Sequence, residues 1–342
     1  MSPTKKKTIA IIGGGASGIF ASIRCAEVAK EKNIDVNICV FEATTSFLRK
    51  VRISGGGRCN VTHHLFDIKD FSLKYPRGQK ELLSPLQKFH ASNTIEWFEN
   101  RGVPLKTEPD GRVFPVSNQS QSIIDCLESE AKKLGVDIIY QAAVSSLTKE
   151  GETWKIHFSK EPQEQLFDAV IIATGGSPKL QGFQWLKDLG HTIAPPLPSL
   201  FTFNIPKNTI TELMGVAVEN AKIKIKGHNI ETEGALLITH WGMSGPAILK
   251  ASAFGAPALA GCQYNFEIQV NWIGERNTEL LFNRLLACAL ERVTPPCVAP
   301  PLWPYSSASF PHASIGQWGC LFPCRGDTRA SLSPSWWPGL LL

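Results

Sequence analysis

No stretch of these 342 residues approaches the ~20 consecutive apolar positions that a membrane-spanning helix requires, so no membrane contact is expected. The nine cysteines form no C-x-x-C pair, and none stands at metal-ligand spacing from a histidine. A dithiol redox centre and a built-in metal site are therefore set aside. The start, MSPTKKK, is basic like the head of a signal peptide. The apolar Ile9–Ile12 that follows is too short for the core of such a signal and runs straight into glycine. Without an export signal, an odd cysteine count points to free thiols in a reducing, cytoplasmic setting. Charge of one sign is also scarce: 35 Lys and Arg against 30 Asp and Glu leave +5. Scattered surface lysines account for that, and no nucleic-acid partner is expected.

What is present is a strand, a glycine turn and a helix in immediate succession. Ile9–Ile12 is an unbroken apolar run of buried-strand length. Gly13-Gly14-Gly15-Ala16-Ser17-Gly18 then fits G-x-G-x-x-G, and residues 19–28 continue without proline. In this context Gly13 permits the tight turn, Gly15 leaves the main chain open to a pyrophosphate, and Gly18 lets the helix lie on the strand. The helix N-terminus adds free N–H groups and its positive dipole end. A second apolar strand, Ile38–Phe41, ends at Glu42, an acceptor for ribose hydroxyls.

Two further glycine stretches follow. In residues 52–62, Gly55, Gly56 and Gly57 are flanked by Ser54, Cys59, Asn60 and Thr62, with Lys50, Arg52 and Arg58 supplying positive charge. Such a loop suits a phosphate or the polar edge of a flat ring; the alternative is a flexible surface loop. The strand Ala169–Ala173 runs into Thr174-Gly175-Gly176, beyond the carboxyl end of the same sheet. Between them the pattern predicts helices over 86–100 and 120–134 and strands over 137–142 and 154–158, the last two as a hairpin-like pair. Prolines at 195, 196 and 198 mark a linker. Short strand-like runs follow at 200–205, 216–218, 221–225, 236–239 and 266–270, as in a small β-barrel.

Four segments carry a family resemblance: IIGGGASG, ISGGGRCNVTH, GRVFP with ATGGSP, and THWGMSGPAIL. On them the chain resembles the YhiN/BaiN-type FAD-dependent oxidoreductases over about residues 8–275. The resemblance implies FAD, an α/β fold with a Rossmann-like FAD-binding domain over 1–194, and an inserted β-barrel and helical domain over 195–292. It implies that Gly13, Gly15, Ala16, Ser17 and Gly18 hold the pyrophosphate and Glu42 the ribose. Main chain at Val144 would contact adenine. Lys50, the loop Ser54, Gly55, Gly56, Gly57, Arg58, Cys59 and Asn60, and Ala173, Thr174 and Gly175 would line the way to the flavin ring. A small-molecule substrate follows. NAD(P)H is the expected electron donor, and with no second G-x-G-x-x-G it would bind only transiently, at the flavin face. No acid or base declares itself; His240 and Arg112 are the candidates. Cys59 is read as a packing or flavin-contact residue rather than a redox thiol, having no partner cysteine nearby.

The C-terminal glycine-rich segment of that family is not found. From Val293 to Leu342 the only charged residues are Arg325, Asp327 and Arg329, and no period of 2 or 3.6 is visible. This stretch is expected to be irregular and non-native in origin. Two other readings stay open: a truncated, non-catalytic product with impaired flavin binding, and a flavoprotein directed at RNA.

Overall fold

A four-stranded parallel sheet carries the first glycine turn. The computed structural model describes residues 6–160, 164–177, 179–206 and 208–274, and the backbone of 321–326. Two units are distinguished, the division falling between Pro196 and Leu197. In the first, β1 (Lys7–Ile12) leads into α1 (Ala16–Glu31), β2 (Val36–Phe41) and the short α2 (Arg49–Ile53). Then come β3 (Thr62–His63), α3 (Ile68–Ser72), α4 (Gln79–Lys88), α5 (Ala91–Glu99), β4 (Leu105–Thr107), β5 (Arg112–Pro115), α6 (Ser120–Lys133) and β6 (Asp137–Ile139). β7 (Val144–Glu150), β8 (Thr153–Phe158) and β9 (Glu164–Phe167) precede β10 (Ala169–Ile172) and α7 (Gln184–Asp188).

The parallel order is β10–β1–β2–β6. Alternation along β1 sorts its side chains to two cores. Ile9 and Ile11 pack with residues of α1, α5 and α6, such as Ile19, Phe98 and Ile123. Ala10 and Ile12 pack with Phe41, Leu147, Ile156 and Phe167 beneath the antiparallel sheet β7–β8–β9. Burial on both faces is what an unbroken apolar strand needs.

Two expectations fail here for local reasons. The helix predicted over 86–100 is divided into α4 and α5. His90 is extended and caps α5: its Nδ1 accepts from the Ser92 N–H, and its own N–H donates to Asn93 Oδ1 at 3.0 Å. Nor do 137–142 and 154–158 pair. Residues 137–139 join the parallel sheet as β6, and the hairpin partner of β8 is β7.

The second unit holds β11 (Phe203–Asn204), β12 (Ala217–Ile225), β13 (Ile230–Thr239), β14 (Gly242–Ser244), α8 (Pro246–Gly261), β15 (Asn265–Asn271) and β16 (Leu321–Gly326). The strands hydrogen-bond in the order β11–β14–β13–β12–β15–β16 and close as a barrel. Phe203, Ile223, Leu236, Met243 and Ile268 pack in its core, with Ile248, Ala251 and Leu259 of α8. The runs expected at 216–218 and 221–225 merge into one strand, irregular between Val218 and Ala221.

The expectation that 293–342 is irregular fails at β16. This strand pairs antiparallel with β15, from Asn265↔Arg325 to Gln269↔Leu321, and with β11. Without it β11 and β15 would each present an open backbone edge, and any extended segment can satisfy such edges through main-chain hydrogen bonds. The rest of 293–342, and 275–292, lies outside the described residues. Among the described residues no helix is long and apolar enough to cross a membrane.

Candidate dinucleotide site

Because β1 and β10 are neighbours, the glycine turns that follow them meet. The Gly13 N–H donates to the Phe41 carbonyl and the Ala173 N–H to the Ile12 carbonyl, both at 2.8 Å. Gly13 has φ +115°, and a Cβ there would lie 2.4 Å from the Ala173 carbonyl oxygen. A Cβ on Gly18 would lie 1.9 Å from the Gly13 carbonyl oxygen, so α1 rests directly on the turn. Gly15 is different: nothing lies within 4 Å of the place a Cβ would take. It caps α1 without a side-chain hydrogen bond, and the first turn of α1 carries no acidic residue. The first N–H groups of a helix, with its positive dipole end, thus border open space that a larger residue would fill. That cradle fits the pyrophosphate of a dinucleotide, with Ala16 and Ser17 opening the helix.

Glu42 is fixed at the edge of this turn. Its Oε2 accepts from the Gly14 N–H at 3.0 Å, and its Oε1 accepts from the Thr44 N–H at 2.8 Å and Thr44 Oγ1 at 2.7 Å. A carboxylate has about four acceptor positions, so some remain for ribose hydroxyls. Leu48, in the left-handed region, donates its N–H to the Gly14 carbonyl at 2.8 Å and starts α2 there. Lys50 follows on α2, its Nζ 3.7 Å from where a Cβ on Gly175 would sit. Thr174 and Gly175 are exposed beyond β10.

The triple glycine is only partly available to a ligand. Gly55, Gly56 and Gly57 are all left-handed. A Cβ on Gly55 would lie 2.6 Å from the Asn60 nitrogen and 2.9 Å from the Phe114 ring, so this glycine serves internal packing. Gly56 and Gly57 face open space. Cys59 and Asn60 are buried, and burial pushes the Cys59 thiol up to about 11 against a hydrogen bond from Ser54. Cys59 therefore packs in the core as a protonated thiol. The Arg58 guanidinium lies 3.9 Å over the Phe114 ring and pairs with Glu108, whose carboxyl it holds below the usual range. Arg52 donates to Gln121 Oε1 at 2.7 Å. Arg112 pairs with Asp110 at 2.6 Å and Glu108 at 3.4 Å. His240 stands in the second unit, its ring edge-on to Trp241 at 4.3 Å. Val144 opens β7 opposite Phe158. No group of three or more His, Cys, Asp or Glu among the described residues is placed to hold a metal ion. Thr44, Leu48, Glu108 and Phe114 shape the site without being expected in it. Only Thr44 left a trace, as a hydroxyl two residues past Glu42.

A parallel sheet whose first strand ends in an open glycine turn on a helix N-terminus, with a carboxylate closing the second strand, defines a dinucleotide-binding protein. The description of the HI0933-like protein Rossmann domain family matches residues 7–295, and the chain belongs to that family, whose cofactor is FAD. The chain is 28% identical to the 3-dehydro-bile acid delta(4,6)-reductase of Clostridium scindens over 73% of this chain and 61% of that one. It is 28% identical to the ribosomal RNA dihydrouridine synthase of Haemophilus influenzae, over 72% and 61%. For the protein of that name from Escherichia coli the identity is 29%, over 72% and 60%. The chain thus spans about three-fifths of the length of the curated relatives it matches. Among solved structures, the 3-ketosteroid-delta4-(5alpha)-dehydrogenase of Rhodococcus jostii RHA1 gives a TM-score of 0.43 at 13% identity, over 78% of this chain and 67% of that one, a likeness too distant to carry function.

Proposed function

We propose that this chain binds FAD across the carboxyl ends of β10, β1 and β2 and serves the reduction of a carbon–carbon double bond in a small-molecule substrate. The open face of Gly15 at the uncapped N-terminus of α1 carries the reading. The main chain at Gly15, Ala16 and Ser17 would take the pyrophosphate, and Glu42 the ribose. Adenine would lie toward Val144 and a cavity of about 80 Å³ bordered by Phe41, Tyr140, Ala142 and Phe158. Gly56, Gly57, Thr174 and Gly175 would border the flavin end. FAD held there would supply the redox chemistry, carrying two electrons from a donor such as NAD(P)H to the double bond. The names of the relatives support this class, since delta(4,6)-reductase and dihydrouridine synthase are both names for reduction of a double bond.

The test is the absorbance of the purified chain and its titration with FAD. Flavin bands at one equivalent per chain are expected, as is NAD(P)H oxidation when a conjugated enone is added. A chain without flavin bands that also takes up no added FAD would end this reading. A second reading, action on RNA, is favoured by the names of two relatives. Its expected signature is RNA affinity that falls steeply with salt.

A further inference from the structure

Four cations flank the triple glycine in the sequence, Arg49, Lys50, Arg52 and Arg58, and the fold disposes of the last three differently. Arg58 is committed to Glu108 and Phe114, and Arg52 to Gln121. Lys50 is exposed and makes no hydrogen bond or ion pair with any described residue. It stands two residues after Leu48, which is tied to the Gly14 carbonyl, and its ammonium reaches Gly175. The ammonium therefore lies beside the turn after β10, on a helix whose start is hydrogen-bonded to the turn after β1.

Strand order decides which end of a dinucleotide it meets. The sheet runs β10–β1–β2–β6. With pyrophosphate at the end of β1 and Glu42 at the end of β2, the adenosine half extends toward β2. The other half must then extend past β1 toward β10, where Lys50 and Gly175 are. Accordingly we infer that Lys50 faces the isoalloxazine end of bound FAD and favours its reduced form. Two-electron reduction with uptake of one proton leaves that ring negatively charged, and a nearby cation stabilises it. The inference rests on the FAD reading above and adds to it a residue and an effect.

The experiment compares FAD dissociation constants and midpoint potentials of the flavin-loaded wild type, Lys50→Met and Lys50→Arg, with thermal melting as a check on folding. Lys50 is an exposed helix residue, so both variants should fold. Expected is a Lys50→Met protein that keeps FAD within about threefold of wild-type affinity. Its equilibrium constant for reduction should fall about tenfold, ~30 mV downward for a two-electron couple. Lys50→Arg should restore most of the loss. An unchanged potential in Lys50→Met overturns the inference while leaving the FAD reading intact. So does a loss confined to affinity, complete loss of FAD included, which would assign Lys50 to the pyrophosphate. A wild-type chain that binds no FAD overturns the FAD reading itself and this inference with it.

Discussion

Gly15 and Gly18 belong to one motif and answer to different constraints. A side chain at Gly15 meets nothing in the protein, so Gly15→Val should fold as the wild type does and lose FAD, because its methyls take the pyrophosphate space. A side chain at Gly18 meets the Gly13 carbonyl at 1.9 Å, so Gly18→Ala should lower stability by roughly 1–3 kcal/mol whether or not FAD is present. Melting curves with and without FAD separate the two: equal melting of the apo forms of wild type and Gly18→Ala would show that the helix can move off the turn. Cys59 yields a sharper expectation. It is wholly buried and its thiol lies up at about 11, so iodoacetamide at neutral pH should leave it unmodified in the folded chain. Among the described residues the half-buried Cys25 and Cys262 should react before it. Peptide mapping that finds Cys59 alkylated before them would place it at an accessible face. The motif made Gly13, Gly15 and Gly18 legible because each answers a backbone demand. It could not show that Gly55 packs on Phe114 or that Arg58 spends its charge on Glu108, because both depend on residues some fifty positions away.

At the scale of elements, β1 is held to the link between β9 and β10 by one carboxylate. Asp168 Oδ2 accepts from the Thr8 N–H at 2.8 Å and Thr8 Oγ1 at 2.9 Å, and Oδ1 lies 3.2 Å from Lys7 Nζ. Hydrogen bonds from Thr8, then Lys7, bring its carboxyl down from 3.8 to about 2. A depressed carboxylate contributes stability that is complete above its unfolded pKa and is lost as pH falls through the folded one. Wild-type stability should therefore drop between about pH 4 and pH 2 more steeply than that of Asp168→Asn. Denaturant midpoints measured across that window test this; parallel curves would mean the Thr8 contacts do not hold in solution. The central parallel strands were legible as uninterrupted apolar runs. β7 was not, because Val144–Glu150 exposes one edge of the hairpin to water and reads as polar chain. The break between α4 and α5 was hidden for another reason: a histidine cap is outside the usual Ser, Thr, Asp and Asn set.

At the scale of the whole chain, the composition of 293–342 suggests a passenger, while β16 lies within it and pairs on both sides. Its neighbours are β15, over five register pairs, and β11, over two. Removing it would leave the barrel with two unpaired edges, on the strands that carry the core residues Phe203 and Phe266. Two truncations decide whether that strand works in the fold. Ending the chain after residue 326 keeps β16; ending it after residue 320 removes it. The shorter chain should melt at lower temperature, bind a hydrophobic dye and gain a tendency to associate through β11 or β15, while the longer keeps the wild-type transition. The residues proposed to hold FAD lie before Pro196, so FAD content should follow the first unit and change little between the two truncations. Equal melting of both chains would show that β16 contributes nothing to the barrel and would return 293–342 to the status of an irregular tail. Loss of FAD from the shorter chain alone would show instead that the barrel unit takes part in holding the cofactor.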